Sequence, residues 1–128
     1  MGKREFVGSQ EKPIFIIMKI HIDSADTKWS LQVRARDGRC RKCGRMAPWK
    51  LEAHHIMPRA KSATRYDIAN GLTLCFVHHV MGDDSAHRVG KQFVIDIIGL
   101  TEYKRLEKKS VQTISRAKAR AEFLLTCA

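Results

Sequence analysis

Asn70-Gly71-Leu72-Thr73-Leu74-Cys75-Phe76-Val77-His78-His79 is the stretch on which the fold turns. Leu72 and Leu74 alternate with Gly71, Thr73 and Cys75, which predicts a short strand over 71–75. A helix is expected to start over 76–81. Cys75 and His78 carry the x-x spacing of a metal half-site, and upstream Cys40-Arg41-Lys42-Cys43-Gly44 supplies a second one. Two such knuckles, with 31 residues between Cys43 and Cys75, can close a tetrahedron of three thiolates and one imidazole. A closed site of that kind leaves no position for water, so its binding energy is folding energy. Reading Cys40 and Cys43 as a redox pair leaves Cys75 and His78 unexplained. Cys127 has no nearby partner and reads as an incidental thiol.

The segment between the half-sites carries the second chemical cluster. Residues 49–54 alternate well enough for a strand that ends in His54-His55, and a loop over 57–69 leads back to the 71–75 strand. Adjacent side chains on a strand point to opposite faces. One histidine could therefore meet a metal while its neighbour stands elsewhere around a reacting group. His79, Asp83, Asp84 and His87 follow the second knuckle directly. Each of these groups taken alone reads as ordinary core or solvated surface; their shared register gives them weight.

Further out, residues 1–12 are polar and read as loose, and 13–22 read as a β-branched strand after Pro13. A helix with Trp29, Leu31, Val33 and Ala35 is expected to be capped by Asp26 and stopped by Asp37-Gly38. Val89, Phe93, Ile97 and Ile98 show helical spacing with Gly99 as the stop. Residues 101–125 read as a basic amphipathic helix broken near Ser110, with Tyr103, Leu106, Val111, Ile114 and Leu124 as core candidates. No repeat, low-complexity tract or long linker divides the chain. The expectation is one α+β domain over 1–128: strand and helix over 13–37, the metal-bearing core over 40–87, and helices over 88–125.

The chain has 128 residues and a formal charge of +11, from 24 Lys and Arg against 13 acids. Residues 28–65 hold eleven of the cations and only two acids, Asp37 and Glu52. A positive field concentrated in this way is the footprint of a phosphate-backbone partner. The basic residues Arg36, Arg39, Arg41, Lys42, Arg59, Lys61 and Arg65 are the candidate phosphate contacts. No run approaches the roughly 20 apolar residues that cross a bilayer, and the opening residues lack the order of a secretory signal. The expected location is the cytoplasm, with no membrane partner.

Taken together, Cys40-x-x-Cys43, Glu52-Ala53-His54-His55-Ile56 with Pro58 shortly after, Asn70 before Leu72-Thr73-Leu74-Cys75, and His78-His79 resemble the zinc-knuckle subgroup of HNH endonucleases. The resemblance is detailed over about 29–87 and looser through Phe93, Gly99, Tyr103 and Leu106, a spacing similar to stand-alone phage-type members. It implies a ββα-metal hairpin-plus-helix core with a structural zinc on Cys40, Cys43, Cys75 and His78. It implies a second, catalytic ion (Mg²⁺, Mn²⁺, Ni²⁺ or Zn²⁺) on His54 and His79, with His55 as general base and Asn70 bracing the hairpin loop. The third ligand is left open. Asp83 stands at the family's usual four-residue spacing after His79, whereas alignment backward from Phe93 favours His87. The implied activity is DNA hydrolysis by a single ion, giving 5′-phosphate and 3′-hydroxyl ends. The implied setting is a bacterial or phage-infected cell, with the phage packaging machinery as a possible partner. The alternative is a non-catalytic zinc-ribbon-like DNA-binding or adaptor module, a role that makes no use of His54, His55, Asn70 and His79. A thiol oxidoreductase is a weaker option, because no thioredoxin-like pattern surrounds Cys40 and Cys43.

Overall fold

A computed structural model describes residues 21–127. The strand expected over 13–22 lies almost wholly outside the described residues, and His21 and Ile22 have no regular structure. Among the described residues the order begins with α1 (Ser24–Asp37), then β1 (Leu51–His55), the single turn α2 (Ser62–Arg65) and a 3-10 turn (Ile68–Asn70). β2 (Gly71–Cys75) follows, then a π-type turn (Val77–Met81), α3 (Ala86–Val89), α4 (Lys91–Ile98), α5 (Leu100–Ser110) and α6 (Arg116–Thr126). Two antiparallel strands and their flanking helices make an α+β structure with a ββα-metal hairpin at its centre.

Helix α1 starts one turn earlier than expected. Its N-cap is Asp23, and Asp26 is the reciprocal partner of a capping box. The Asp23 carboxylate accepts from Asp26 N and the Asp26 carboxylate from Asp23 N, both at 2.8 Å, so two otherwise unpaired backbone donors are satisfied. Gly38 ends the helix in the left-handed conformation at φ 69°, which costs glycine little. Trp29 and Val33 are buried, but Leu31 is exposed, because it lies on the far side of the helix from the hairpin.

The hairpin register pairs Leu51 with Cys75, Ala53 with Thr73, His54 with Leu72 and His55 with Gly71. Pleating gives it two faces. Gly71, Thr73, Ala53 and His55 face α1, where Thr73 Oγ1 donates to Val33 O at 3.2 Å. A Cβ on Gly71 would overlap Val33 Cγ2 and lie 2.8 Å from Trp29 Cζ2, so the absence of a side chain permits this close helix–strand approach. Leu72 and Leu74 face the other way, into a core formed with Cys40, Cys75, Ala86, Phe93 and Val94. A second core of Ala25, Trp29, Val33, Tyr66 and Phe123 lies under α1 and α6. The hairpin is the layer between them.

Beyond the hairpin the helical pattern is cut more finely than its periodicity predicts. Gly90 at φ 83° divides the expected Val89-to-Ile98 helix into α3 and α4, and Gly99 at φ 90° separates α4 from α5. Val89 is consequently exposed, while Phe93 stays buried. The 101–125 helix breaks after Ser110 as expected. Val111 is exposed in that break, and Phe123 rather than Leu124 is the buried residue of α6, stacked on Tyr66 with ring centroids 5.8 Å apart.

Candidate active site and metal centres

The two x-x half-sites meet. Cys40, Cys43, Cys75 and His78 bring three Sγ atoms and one imidazole nitrogen within 4.8 Å of one another. Cys43 Sγ lies 3.9 Å from Cys75 Sγ, and His78 Nδ1 lies 3.3 Å from Cys75 Sγ and 3.9 Å from Cys40 Sγ. Tetrahedral zinc with Zn–S near 2.3 Å and Zn–N near 2.0 Å gives ligand–ligand edges of about 3.5–3.8 Å. A sulfur pair 3.9 Å apart is far from the roughly 2.05 Å of a disulfide. The Cys3His cluster fits a structural zinc site in both donor chemistry and spacing.

The local backbone builds this cluster. Gly44 at φ 82° turns the knuckle, with Gly44 N donating to Cys40 O and Cys40 N to Arg45 O, both at 2.8 Å. Arg41 N donates to Thr73 O at 2.9 Å and fastens the knuckle to β2. Burial pushes the Cys40 thiol up, but backbone N–H groups of Cys75, Cys43 and Lys42 outweigh it and hold the thiol below its ordinary value. Burial and the neighbouring Cys40 push Cys43 the other way.

The second cluster is His54, His79 and His87, whose nitrogens also lie within 4.8 Å of one another. His54 projects from β1 on the Leu72 face, and the π-type turn separates its two histidines: His78 turns to the sulfurs and His79 to His54. Single π turns are frequent at functional sites. His79 Nε2 and His87 Nε2 are 3.2 Å apart, about the edge two nitrogens make on one ion at roughly 2.0–2.1 Å. Burial first, then the charges of His79 and His87, push His54 down to about 3, so its imidazole is neutral and able to donate a lone pair. Asp83, the alternative third ligand, is not part of the cluster. Its carboxylate is fully exposed and 3.5 Å from Arg88.

Glu52 opens the stretch that ends in His54-His55, yet the sequence assigns it no role. Its Oε1 lies 2.7 Å from His79 Nδ1. With Nδ1–H donating to the carboxylate, Nε2 keeps its lone pair for the cluster, the carboxylate–histidine–metal arrangement that fixes a tautomer. The available signal was strand pleating, which puts Glu52 and His54 on the same face of β1.

His55 points to the opposite face. Its ring stacks on Trp29, centroids 3.8 Å apart and planes at 13°, while Trp29 Nε1 donates to Asp67 O at 2.7 Å. His55 Nε2 lies 3.1 Å from Arg65 O. A carbonyl only accepts, so Nε2 carries the proton and Nδ1 has the free lone pair. Burial first, then the Arg59 charge, push His55 down to about 4, against the opposing effect of the Arg65 carbonyl. Asn70, fully buried, accepts from Met57 N at 2.7 Å and donates to Met57 O at 3.1 Å. These paired bonds clamp the loop that leaves β1.

Of the candidate phosphate contacts, Arg65 must be reassigned. It is 3% exposed and donates to both Asp26 carboxylate oxygens at 3.0 and 2.7 Å. Buried in this pair, it is withheld from any external phosphate and instead positions the carbonyl that meets His55. Arg36 is likewise engaged, donating to Asp37, Ile68 O and Gly71 O. Arg39, Arg41, Lys42 and Lys61 are exposed. Arg59 lines a cleft of about 390 Å³ together with His54, His55, Ile56, Pro58, His79 and His87. Its Nε is buried without a hydrogen-bond partner, 3.9 Å from Asp26 Oδ1. A larger groove of about 780 Å³ between α2, α5 and α6 is lined by no histidine or cysteine; the His54, His79 and His87 cluster lies in the smaller cleft.

An antiparallel hairpin that carries a sulfur-rich knuckle and, separately, a histidine cluster in a cleft defines a ββα-metal site. Residues 40–83 match the family model for HNH endonuclease. That segment is about a third of the chain; it spans both knuckles, both strands and the π-type turn, and it stops short of His87. HNH domains are in general nucleases that bind DNA. Comparison with curated proteins and with solved structures gives no match. Among the described residues no helix is long and apolar enough to cross a membrane.

Proposed function

We propose that the protein is a metal-dependent endonuclease that hydrolyses DNA phosphodiester bonds, leaving 5′-phosphate and 3′-hydroxyl ends. The observation that carries this reading is the sharing of one cleft by the His54–His79–His87 cluster, His55 and Arg59. A zinc-ribbon adaptor needs only the sulfur site and has no use for the second cluster.

A divalent ion bound by His54, His79 and His87 would neutralise charge on a non-bridging phosphate oxygen and on the leaving 3′ oxygen. The chain's own residues do the rest. His55 is neutral at physiological pH, its Nε2–H engaged by Arg65 O and its ring plane fixed by Trp29. Nδ1 is then free to take a proton from the water that attacks phosphorus. Arg59, a part-exposed cation in the same cleft, holds the phosphate anion in this reading, and arrival of that anion raises the basicity of His55. Asn70 keeps the hairpin loop, and with it His55, in register. Arg39, Arg41, Lys42 and Lys61 supply sequence-independent attraction for the backbone. The setting this reading implies is the cytoplasm of a bacterial or phage-infected cell, with DNA as the partner and phage packaging as one possible context.

The test is nicking of supercoiled plasmid by zinc-loaded protein. EDTA treatment mild enough to retain the knuckle zinc should stop nicking, and Mg²⁺, Mn²⁺ or Ni²⁺ should restore it. His55→Ala should lower the rate by roughly 10²–10⁴-fold, the contribution of a general base, with DNA binding retained. Undiminished nicking by that variant would sink the assignment, and no nicking with any ion would favour the adaptor.

A further inference from the structure

The two tryptophans have opposite fates. Trp29 is 1% exposed beneath His55, whereas Trp49 is 58% exposed, with Met46, three residues earlier, at 50%. Trp49 lies on the loop that joins the knuckle to β1, and it is held there. The Arg45 guanidinium sits over its ring at 4.7 Å from the centroid, and Arg45 Nη1 also reaches Cys75 Sγ at 3.9 Å. Cys40 N to Arg45 O at 2.8 Å and Trp49 N to Met46 O at 3.0 Å close the loop backbone. One arginine thus pins the indole to the sulfur site, covering one face of the ring and leaving the rest open.

The charge around this platform selects its partner. Residues 38–50 contain Arg39, Arg41, Lys42, Arg45 and Lys50 and no acid. A second copy of a chain carrying +11 would be repelled here; a polyanion would be attracted. A flat aromatic backed by a guanidinium and ringed by cations stacks a nucleobase while the cations hold the flanking phosphates. In an intact duplex the base faces are already stacked.

We propose that Trp49, pinned by Arg45, stacks an unpaired base of DNA, such as occurs in a single strand, at a nick or at a frayed end. The knuckle then has a second role, as the rigid mount of a contact for unpaired DNA. This inference rests on DNA being the substrate, but its test reads binding without cleavage, so the two can fail separately.

The test is fluorescence anisotropy of a labelled twelve-nucleotide oligothymidine and of a blunt duplex of equal length. Zinc-loaded protein is used with no other divalent ion. Trp49→Leu should lower affinity for the single strand roughly tenfold, the typical effect of one base–aromatic stack, and change duplex affinity far less. Trp49→Phe should recover most of the loss. Because Trp49 is exposed, neither change threatens folding. Equal single-strand affinity for wild type and Trp49→Leu would overturn the proposal. So would sedimentation showing that the wild type self-associates without DNA and that Trp49→Leu does not. Loss of single-strand affinity in a protein that nicks nothing would leave the inference standing and remove the nuclease reading.

Discussion

Glu52 and His79, 27 residues apart in sequence, meet at 2.7 Å, and the contact points the other nitrogen of His79 at His87, 3.2 Å away. A histidine held in this way needs no rotamer search before it can accept an ion. Supporting carboxylates of this kind typically contribute 10–100-fold to metal affinity. Glu52→Ala should therefore weaken Mn²⁺ or Ni²⁺ binding to the zinc-loaded protein by about that factor in titration calorimetry, with knuckle zinc unchanged. Glu52→Gln keeps an oxygen that accepts from Nδ1–H and should fall between. Wild-type affinity in Glu52→Ala would mean that the contact does nothing for the ion.

His87 and Asp83 give opposite expectations. His87 lies in the cluster, and Asp83 turns outward to Arg88. His87→Ala should lower second-ion affinity and nicking by at least roughly tenfold, whereas Asp83→Ala should leave both within about twofold. The reverse result would move the third ligand to Asp83 and require the 82–87 loop to rearrange when the ion binds.

The zinc quartet predicts a separation between folding and catalysis. Cys40 is 1% exposed and belongs to the core that contains Leu72, Leu74 and Phe93, so loss of its ligand role loosens the packed hairpin face itself. Cys40→Ser should bind less than one zinc per chain and melt well below wild type, because the binding energy of a structural zinc is folding energy. A Cys40→Ser variant with wild-type zinc content and melting temperature would contradict a structural role. His54→Ala, in contrast, should retain zinc and near-cooperative melting while losing the second ion.

What could be read in the sequence was local or carried by spacing. The alternation at Gly71–Cys75 places β2, the x-x spacings foretell the quartet, and strand pleating puts His54 and His55 on opposite faces. Contacts set by distant parts of the chain could not be read. Arg65 looked like a surface cation, but it is taken by Asp26, 39 residues earlier. The Trp29 stack on His55 depends on how α1 crosses the hairpin, a tertiary angle that no periodicity encodes. Asp26 looked like a cap because acids favour helix starts, yet Asp23 also fits, and only the backbone shows which residue is extended.

Asp37 supports a prediction about pH. Its side chain is 4% exposed and accepts from Arg36 at 2.9 and 2.8 Å, from Arg41 at 3.3 Å and from Thr73 N at 3.0 Å. One carboxylate therefore joins the end of α1, the knuckle and β2. Burial pushes its pKa up, but the hydrogen bonds from Arg36 and Thr73 and the Arg36 charge prevail and hold it below the ordinary value. A carboxyl whose folded pKa is depressed contributes stability that is fully present above its unfolded pKa, near 3.9. That stability is lost as pH falls through the lower folded value. Asp37→Asn should cost about 2 kcal/mol at pH 7, the scale of a charge-assisted hydrogen-bond set. The difference between variant and wild type should stay constant down to about pH 5 and shrink below about pH 4. Neutral buried histidines destabilise the fold from about pH 6.5 downward in both proteins, so the difference between them isolates the carboxylate. Thermal melts in matched buffers from pH 7 to pH 3 check this. A difference that stays flat across that range would show that Asp37 acts by packing rather than by charge.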